Sequence, residues 1–297
     1  MEMRHLVLLR EIAVRGTLSA VAAATHRTPS ALSQQLRTAE RELGVALVEP
    51  VGRGLQLTAE GQLLADAADE VCQVHAEVQA RLDASRGEPR GTVSIGTLPS
   101  GGQALLPPLV GALRGSAIEL RLHDFDLAEA DYAARTLDVD IVLAHSMSGD
   151  VPHGADRLTS RALAREPLDV ALPATHPLAG REELGPLDLV GTRWIGVPEG
   201  YPFDTVLLAI EAVTGRPLVR DQRLRDNALI RSLVGAGVGL ALLPRFTTPA
   251  DGPVVLRPLV GVPARRTFYA LCRPDRHARF AVRTVVDELA RIGASLS

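Results

Sequence analysis

The sequence predicts a chain in two parts: a mainly α N-terminal winged helix-turn-helix extended by one long helix, then an α/β domain with mainly parallel sheets. Three observations carry this. Residues 18–37 read as two short helices joined by a tight polar turn. Residues 59–86 place apolar side chains at alternating spacings of three and four. From residue 92 onward, strand-like and helix-like runs alternate. A length of 297 residues and an apolar content of 46% suit about two globular domains.

Residues 4–14 form a first helix with Leu6, Leu9 and Ala13 inward. The second, Leu18 to Ala24, is nearly all alanine and valine, so another helix can pack closely on it; Thr17 is its N-cap. After the turn Thr25-His26-Arg27, the third helix opens with Thr28 as N-cap and Pro29 at its first position, where a missing N–H costs nothing. Leu32, Leu36, Ala39 and Leu43 share its inward stripe. Ser30, Ser33, Gln34 and Arg37 face outward, with groups that can read base edges and hold phosphates in a major groove. Gly44 ends the helix. Val45 to Val48 and Leu55 to Leu57 read as wing strands around Gly52-Arg53-Gly54, with Arg53 at the tip placed for a minor groove or a phosphate.

Thr58 caps a helix running to about Arg86, roughly 42 Å at 1.5 Å per residue. Leu64, Ala67, Val71, Val74 and Val78 form a coiled-coil seam suited to a second copy of the chain. The alternative is an amphipathic helix lying on its own downstream domain. Residues 85–91, rich in Gly, Pro and charge, read as a hinge. Beyond it the predicted strands are 92–96, 118–123, 139–144, 168–172, 194–197, 218–224, 239–243 and 267–273; the helices are 104–114, 127–136, 204–213, 227–234 and 278–292.

The residues Leu6, Leu9, Gly16-Thr17-Leu18, Ala22, Ala31 to Leu36, Glu40, Glu42 to Val45, Leu47 and Leu57 to Gly61 carry a resemblance to the LysR-type transcriptional regulators. It continues through 91–96, Leu106-Pro107, 137–141, 165–168, 176–178, 235–239 and Leu243-Pro244. Two positions depart from the pattern. Arg27 stands where the family usually has an apolar or aromatic residue, and Pro50 where it usually has an arginine, which removes one expected phosphate contact. The resemblance implies a DNA-binding domain over 1–58, a dimerising linker helix and hinge over 59–90, and a periplasmic-binding-protein-like effector domain over 91–297. That domain would have one lobe of 91–162 and 265–297 and another of 163–264. The expected partners are double-stranded DNA, a small-molecule effector, further copies of the chain up to a tetramer, and RNA polymerase. The DNA-facing set is Leu18, Thr28, Pro29, Ser30, Ser33, Gln34, Arg37 and Arg53.

Ligands of such sheets bind beyond the carboxyl ends of strands. Thr97, Ser100, Gly101 and Gly102, between the first strand and the next helix, offer hydroxyls and amides that suit an anion. His145, Pro198, Glu199, Phe203 and Asn227 lie at other strand ends or helix starts; each could equally be an ordinary loop residue. Gly235 to Gly239 follows a helix and precedes a strand, the reverse of a dinucleotide fingerprint, so it reads as a tight turn. Asp138 and Asp140 read as solvated.

No nucleophile, base and oxyanion hole assemble, so the chain reads as a regulator and not an enzyme, with neither metal nor cofactor. An enzyme or solute-binding protein would account for 91–297 but leave 1–90 unexplained. Net charge is −3, yet residues 1–58 hold seven arginines against five acids. The two cysteines, Cys72 and Cys272, lack ligand spacing; a thiol-based redox sensor on the same scaffold is the competing reading. With no signal peptide or membrane-length apolar run, the expected location is the cytoplasm.

Overall fold

A computed structural model describes residues 1–52, 54–85, 87–125 and 132–296. The chain forms two compact units: residues 1–91 with 273–283, and residues 92–272 with 284–297.

The first unit opens with α1 (Met3–Arg15), α2 (Leu18–Thr25) and α3 (Pro29–Leu43). Local chemistry sets their ends. Thr17 Oγ1 accepts from Ala20 N, Thr28 Oγ1 accepts from Ala31 N, and α3 stops at Gly44, whose φ of 72° is left-handed. Leu9, Ile12, Val21, Leu32, Leu36 and Leu47 pack into one core; a fully buried Leu or Ile is worth about 1.5–3 kcal/mol. The inner stripes differ from expectation at their ends. Ala13 is exposed and Ile12 is buried in its place, and Leu43 is exposed because α3 has run past the core. The wing strands β1 (Val48–Val51) and β2 (Gly54–Leu57) pair antiparallel; β1 starts three residues later than predicted because the Ala46 and Leu47 carbonyls bind Thr58 instead, and β2 starts one residue earlier. Arg53 lies outside the described residues.

Thr58 Oγ1 accepts from Gly61 N and starts α4 (Ala59–Ser85), 27 residues long. Gly61 is required there, since a Cβ would sit 2.0 Å from the Leu47 carbonyl oxygen. Ala65, Ala68 and Cys72 are buried on one side of α4. The other side leaves Leu63, Val71, Val74, Val78 and Leu82 exposed. Of the five predicted seam residues, Val71, Val74 and Val78 stand in this exposed row, Ala67 is half-buried, and Leu64 turns inward onto the core, with Leu63 exposed beside it.

The second unit contains β3 (Arg90–Thr97), α5 (Pro99–Ala112), β4 (Ala117–Asp124), α6 (Tyr132–Arg135), β5 (Ile141–Ser146), β6 (Thr159–Pro173), β7 (Arg193–Gly196), α7 (Asp204–Thr214), β8 (Val219–Arg223), α8 (Asn227–Gly235), β9 (Ala241–Pro244), β10 (Val254–Arg257) and β11 (Arg265–Cys272). α9 (Pro274–His277) returns to the first unit and packs on α4, and α10 (Phe280–Leu296) ends the chain. Residues 127–131, half of the predicted 127–136 helix, lie outside the described residues; the rest holds α6.

The main sheet runs β10-β6-β11-β5-β3-β4, with β9 also on β6, and β7-β8 form a separate pair. The expectation of mainly parallel pairing is corrected. β3–β5 and β7–β8 are parallel, but β11 is antiparallel to both β5 and β6, and β6 is antiparallel to β9 and β10. The cause is β6, 15 residues long: its first part pairs with β11 and its second with β9 and β10. Asp140 is likewise not solvated. It is buried, and its Oδ2 accepts from Ser94 N and Oγ, both at 2.9 Å, fastening β3 at the start of β5. The segment after α8 turns at Gly237, whose φ is 80°, as read. Among the described residues, no helix is long and apolar enough to cross a membrane.

Candidate DNA interface and effector pocket

The outer side of α3 carries the predicted polar set. Ser30, Gln34 and Arg37 are exposed, Ser33 is half-exposed, and Arg37 Nη1 donates to Ser33 Oγ at 2.7 Å. Pro29 is exposed at the first helical position, and the Thr28 hydroxyl is occupied in capping, 3.1 Å from Ser30 Oγ. Leu18 is half-buried, packed against the core.

Within the second unit, a cavity of about 530 Å³ brings together Ser100, His145, Phe203 and Asn227. Five predicted residues do not join them. Thr97 is buried under α5, its hydroxyl donating to the Leu98 carbonyl. The expected loop before α5 does not exist: the helix starts at Pro99, so Ser100, Gly101 and Gly102 form its first turn. The Gly102 amide already donates to the Leu98 carbonyl. Both glycines serve packing, since a Cβ on Gly102 would meet Thr97 Cγ2 at 2.8 Å and one on Gly101 would meet Phe268 Cε1 at 3.1 Å. Pro198 binds the Tyr201 amide through its carbonyl, and Glu199 is exposed and paired with Arg223 at 3.0 Å; both lie outside the cavity.

The residue that sequence reasoning missed is Arg266, at the cavity floor. Its Nε donates to Glu166 Oε2 at 2.6 Å, and Glu166 Oε1 accepts from the Phe246 amide at 2.7 Å. Its guanidinium stacks over the rings of Phe268 and Phe203, 4.5 and 5.4 Å from their centroids. Nη1 donates to Ser100 Oγ at 3.0 Å. Because that oxygen accepts from Arg266, the Ser100 hydrogen is left to be donated into the cavity. Little in the sequence marks it: Arg266 follows Arg265 at the start of β11, just ahead of the predicted strand 267–273. The first turns of α5 and α8 both line the cavity, and the positive ends of their dipoles suit an anion.

His145 lies at the same floor, 5% exposed. Its Nδ1 is 3.5 Å from Tyr132 Oη, and its Nε2 has no hydrogen-bond partner among the described residues. Burial, helped by the Arg266 charge, pushes its pKa down to about 3. The sign follows. The unfolded imidazole takes up a proton near pH 6.5 while the folded one stays neutral, so folding stability is lost as pH falls from about 6.5 toward 3. The slope from one such group is on the order of 1 kcal/mol per pH unit. His145→Phe is expected to flatten that part of the stability–pH curve in urea titrations; an unchanged curve would mean that other groups dominate.

Both cysteines are buried. Burial pushes the Cys272 thiol up to about 12 and raises that of Cys72 as well. Such thiols hold little thiolate at neutral pH, which weighs against the redox-sensor reading.

Known proteins carry the same architecture. Residues 3–62 match the family described as bacterial regulatory helix-turn-helix protein, lysR family, and residues 86–293 match the LysR substrate binding domain. The dual regulator GltC of Bacillus subtilis is 30% identical over 259 residues, covering 85% of this chain and 84% of that protein. The dual regulator OxyR of Escherichia coli K12 is 29% identical over 292 residues, covering 94% and 92%. Among solved structures, a variant of full-length OxyR from Pseudomonas aeruginosa superposes with a TM-score of 0.71 at 20% identity, covering 97% of this chain and 94% of that one. Full-length CbnR complexed with its target DNA does so at 0.56 and 19%, covering 99% and 100%. With a lysR-type head followed by a LysR substrate-binding domain, the chain belongs to the LysR family of transcriptional regulators.

Proposed function

We propose that this LysR-type regulator is a cytoplasmic homo-oligomer that binds pseudo-palindromic double-stranded DNA through α3 and the wing, paired through α4. A small anionic effector held in the 530 Å³ cavity closes two lobes and changes the angle between the DNA heads. The assignment of 1–58 to DNA, 59–90 to linker and 91–297 to effector binding is part of this reading. So are lobes of 91–162 with 265–297 and of 163–264. The switch of β6 between two sets of partner strands supports that division. RNA polymerase is the partner through which the regulator would act.

The observation that carries the DNA reading is the exposed hydroxyl, amide and guanidinium stripe of α3 on a capped helix. Selection of bound duplexes from a random library tests it. Enrichment of a site with two related half-sites is the expected result; enrichment of none would remove sequence-specific binding.

For the effector, small carboxylates screened by thermal shift would identify a ligand. Ser100→Ala removes one donor at the cavity floor. It should weaken that ligand by about 0.5–1.5 kcal/mol, or up to ~3 for a charged acceptor, and leave DNA binding without effector unchanged. Calorimetric titration of both proteins decides it: equal affinities would take Ser100 out of the ligand's coordination.

A further inference from the structure

The arginines of the first unit divide by the partners that hold them. Arg4 pairs with Glu2, Arg10 with Asp69 and Asp275, and Arg15 with Glu11. The arginines of α3 and of the turn before it bind neutral groups instead. Arg27 Nη1 donates to Gln35 Oε1 at 2.7 Å, Arg37 Nη1 to Ser33 Oγ at 2.7 Å, and Arg41 Nη2 to Thr38 Oγ1 at 3.4 Å. The acids beside Arg41 are turned to other work. Glu40 Oε1 accepts from the Leu47 amide at 3.0 Å, and Glu42 lies 3.2 Å from the N-terminal ammonium. Among the described residues, no carboxylate forms an ion pair with Arg27, Arg37 or Arg41.

Their placement follows the helix. Ser30, Gln34, Arg37 and Arg41 stand at i, i+4, i+7 and i+11, so Arg41 extends the outer polar stripe to the last turn of α3. At 1.5 Å per residue it is roughly 16 Å beyond Ser30 along the axis. When the start of a recognition helix enters a major groove, its far end rises to the height of the sugar-phosphate backbone. Arg27 stands at the opposite end, immediately before the Thr28 cap. Its guanidinium reaches back to buried Gln35, whose Nε2 donates to the Arg4 carbonyl at 2.6 Å. That chain of bonds fixes a long, exposed side chain at the junction of α1 and α3 with its charge unneutralised. Less rotamer freedom is then lost when it meets an anion.

We propose that Arg27 and Arg41 are phosphate contacts that bracket the base-reading stripe, one at each end of α3. This rests on the DNA-binding reading above, and the test separates the two. The full-length protein is titrated against a random-sequence 30-base-pair duplex by fluorescence anisotropy at several salt concentrations. Each phosphate contact contributes about 0.9 to the slope of log K against log salt. Arg27→Ala and Arg41→Ala should each flatten the slope by about 0.9 for every head on the DNA. Arg27→Lys should hold the wild-type slope, because it keeps the charge. Arg15→Ala, which removes an arginine already paired with Glu11, should leave it unchanged. Wild-type slopes in both alanine variants would overturn the assignment, and so would a change confined to overall affinity. No salt-dependent binding by the wild type would instead sink the DNA-binding reading itself. Circular dichroism of each variant checks that the head is folded.

Discussion

Replacing Val71 and Val74 together by aspartate is expected to convert the protein to monomers and to abolish binding to a palindromic site. Val71, Val74, Val78, Leu63 and Leu82 are 41, 60, 50, 69 and 45% exposed, and they follow one another at spacings of three, four or eight along a single side of α4. The opposite side is already committed to the core of the head and to α9. A 27-residue helix is about 40 Å long, and an exposed apolar row of that length is what a second copy would cover. Covering a half-exposed valine is worth roughly 1 kcal/mol. Two positions on each of two chains then contribute about 4 kcal/mol, about a thousandfold in the dissociation constant. Four carboxylates facing one another in a drying seam add to the loss. Sedimentation velocity at micromolar concentration reads the outcome. A double variant that sediments as the wild type would show that α4 does not hold the copies together.

The helix ends of the head fall within a residue or two of those predicted. Thr17, Thr28, Thr58 and Gly44 act on neighbours one to four residues away, so helix boundaries in the head were legible. The start of α5 was not. Pro99-Ser-Gly-Gly has the composition of a turn, yet Pro99 takes the first helical position and the glycines exist so that the helix can sit on Thr97 and Phe268. A contact with a residue some 170 positions away leaves no local trace. The same holds for β6, whose first part carries Arg161, Arg165 and Glu166 and does not read as a buried strand. The cavity was half legible. Ser100, His145, Phe203 and Asn227 sit at strand or helix ends, where topology places ligands. Arg266 was hidden because its meaning depends on Glu166, a hundred residues earlier.

That ion pair carries the largest expected single-site effect on stability. Glu166 and Arg266 are 0 and 1% exposed. Glu166 accepts from Arg266 Nε and from the Phe246 amide, joining β6, β11 and the segment after β9. Glu166→Ala leaves the guanidinium charged between two aromatic rings and the Phe246 amide without its acceptor. Breaking a buried pair by removing one partner costs about 3–5 kcal/mol, most of it the uncompensated charge. Removing both charges is different. The double variant Glu166→Gln with Arg266→Met removes both charges, and the introduced side-chain carbonyl still accepts from the Phe246 amide, so part of the lost stability should return, less the cost of the new amide N–H groups that methionine cannot accept from. Urea unfolding of the wild type, the single and the double variants measures this directly. A loss below about 1 kcal/mol for Glu166→Ala would mean that water reaches Arg266 through the cavity and solvates it. Recovery in the double variant would show that the uncompensated charge, and not the lost packing, caused the loss; Arg266→Met also removes the Nη1 bond to Ser100 Oγ, so under the effector reading proposed above the double variant should hold that ligand more weakly than the wild type despite its restored stability.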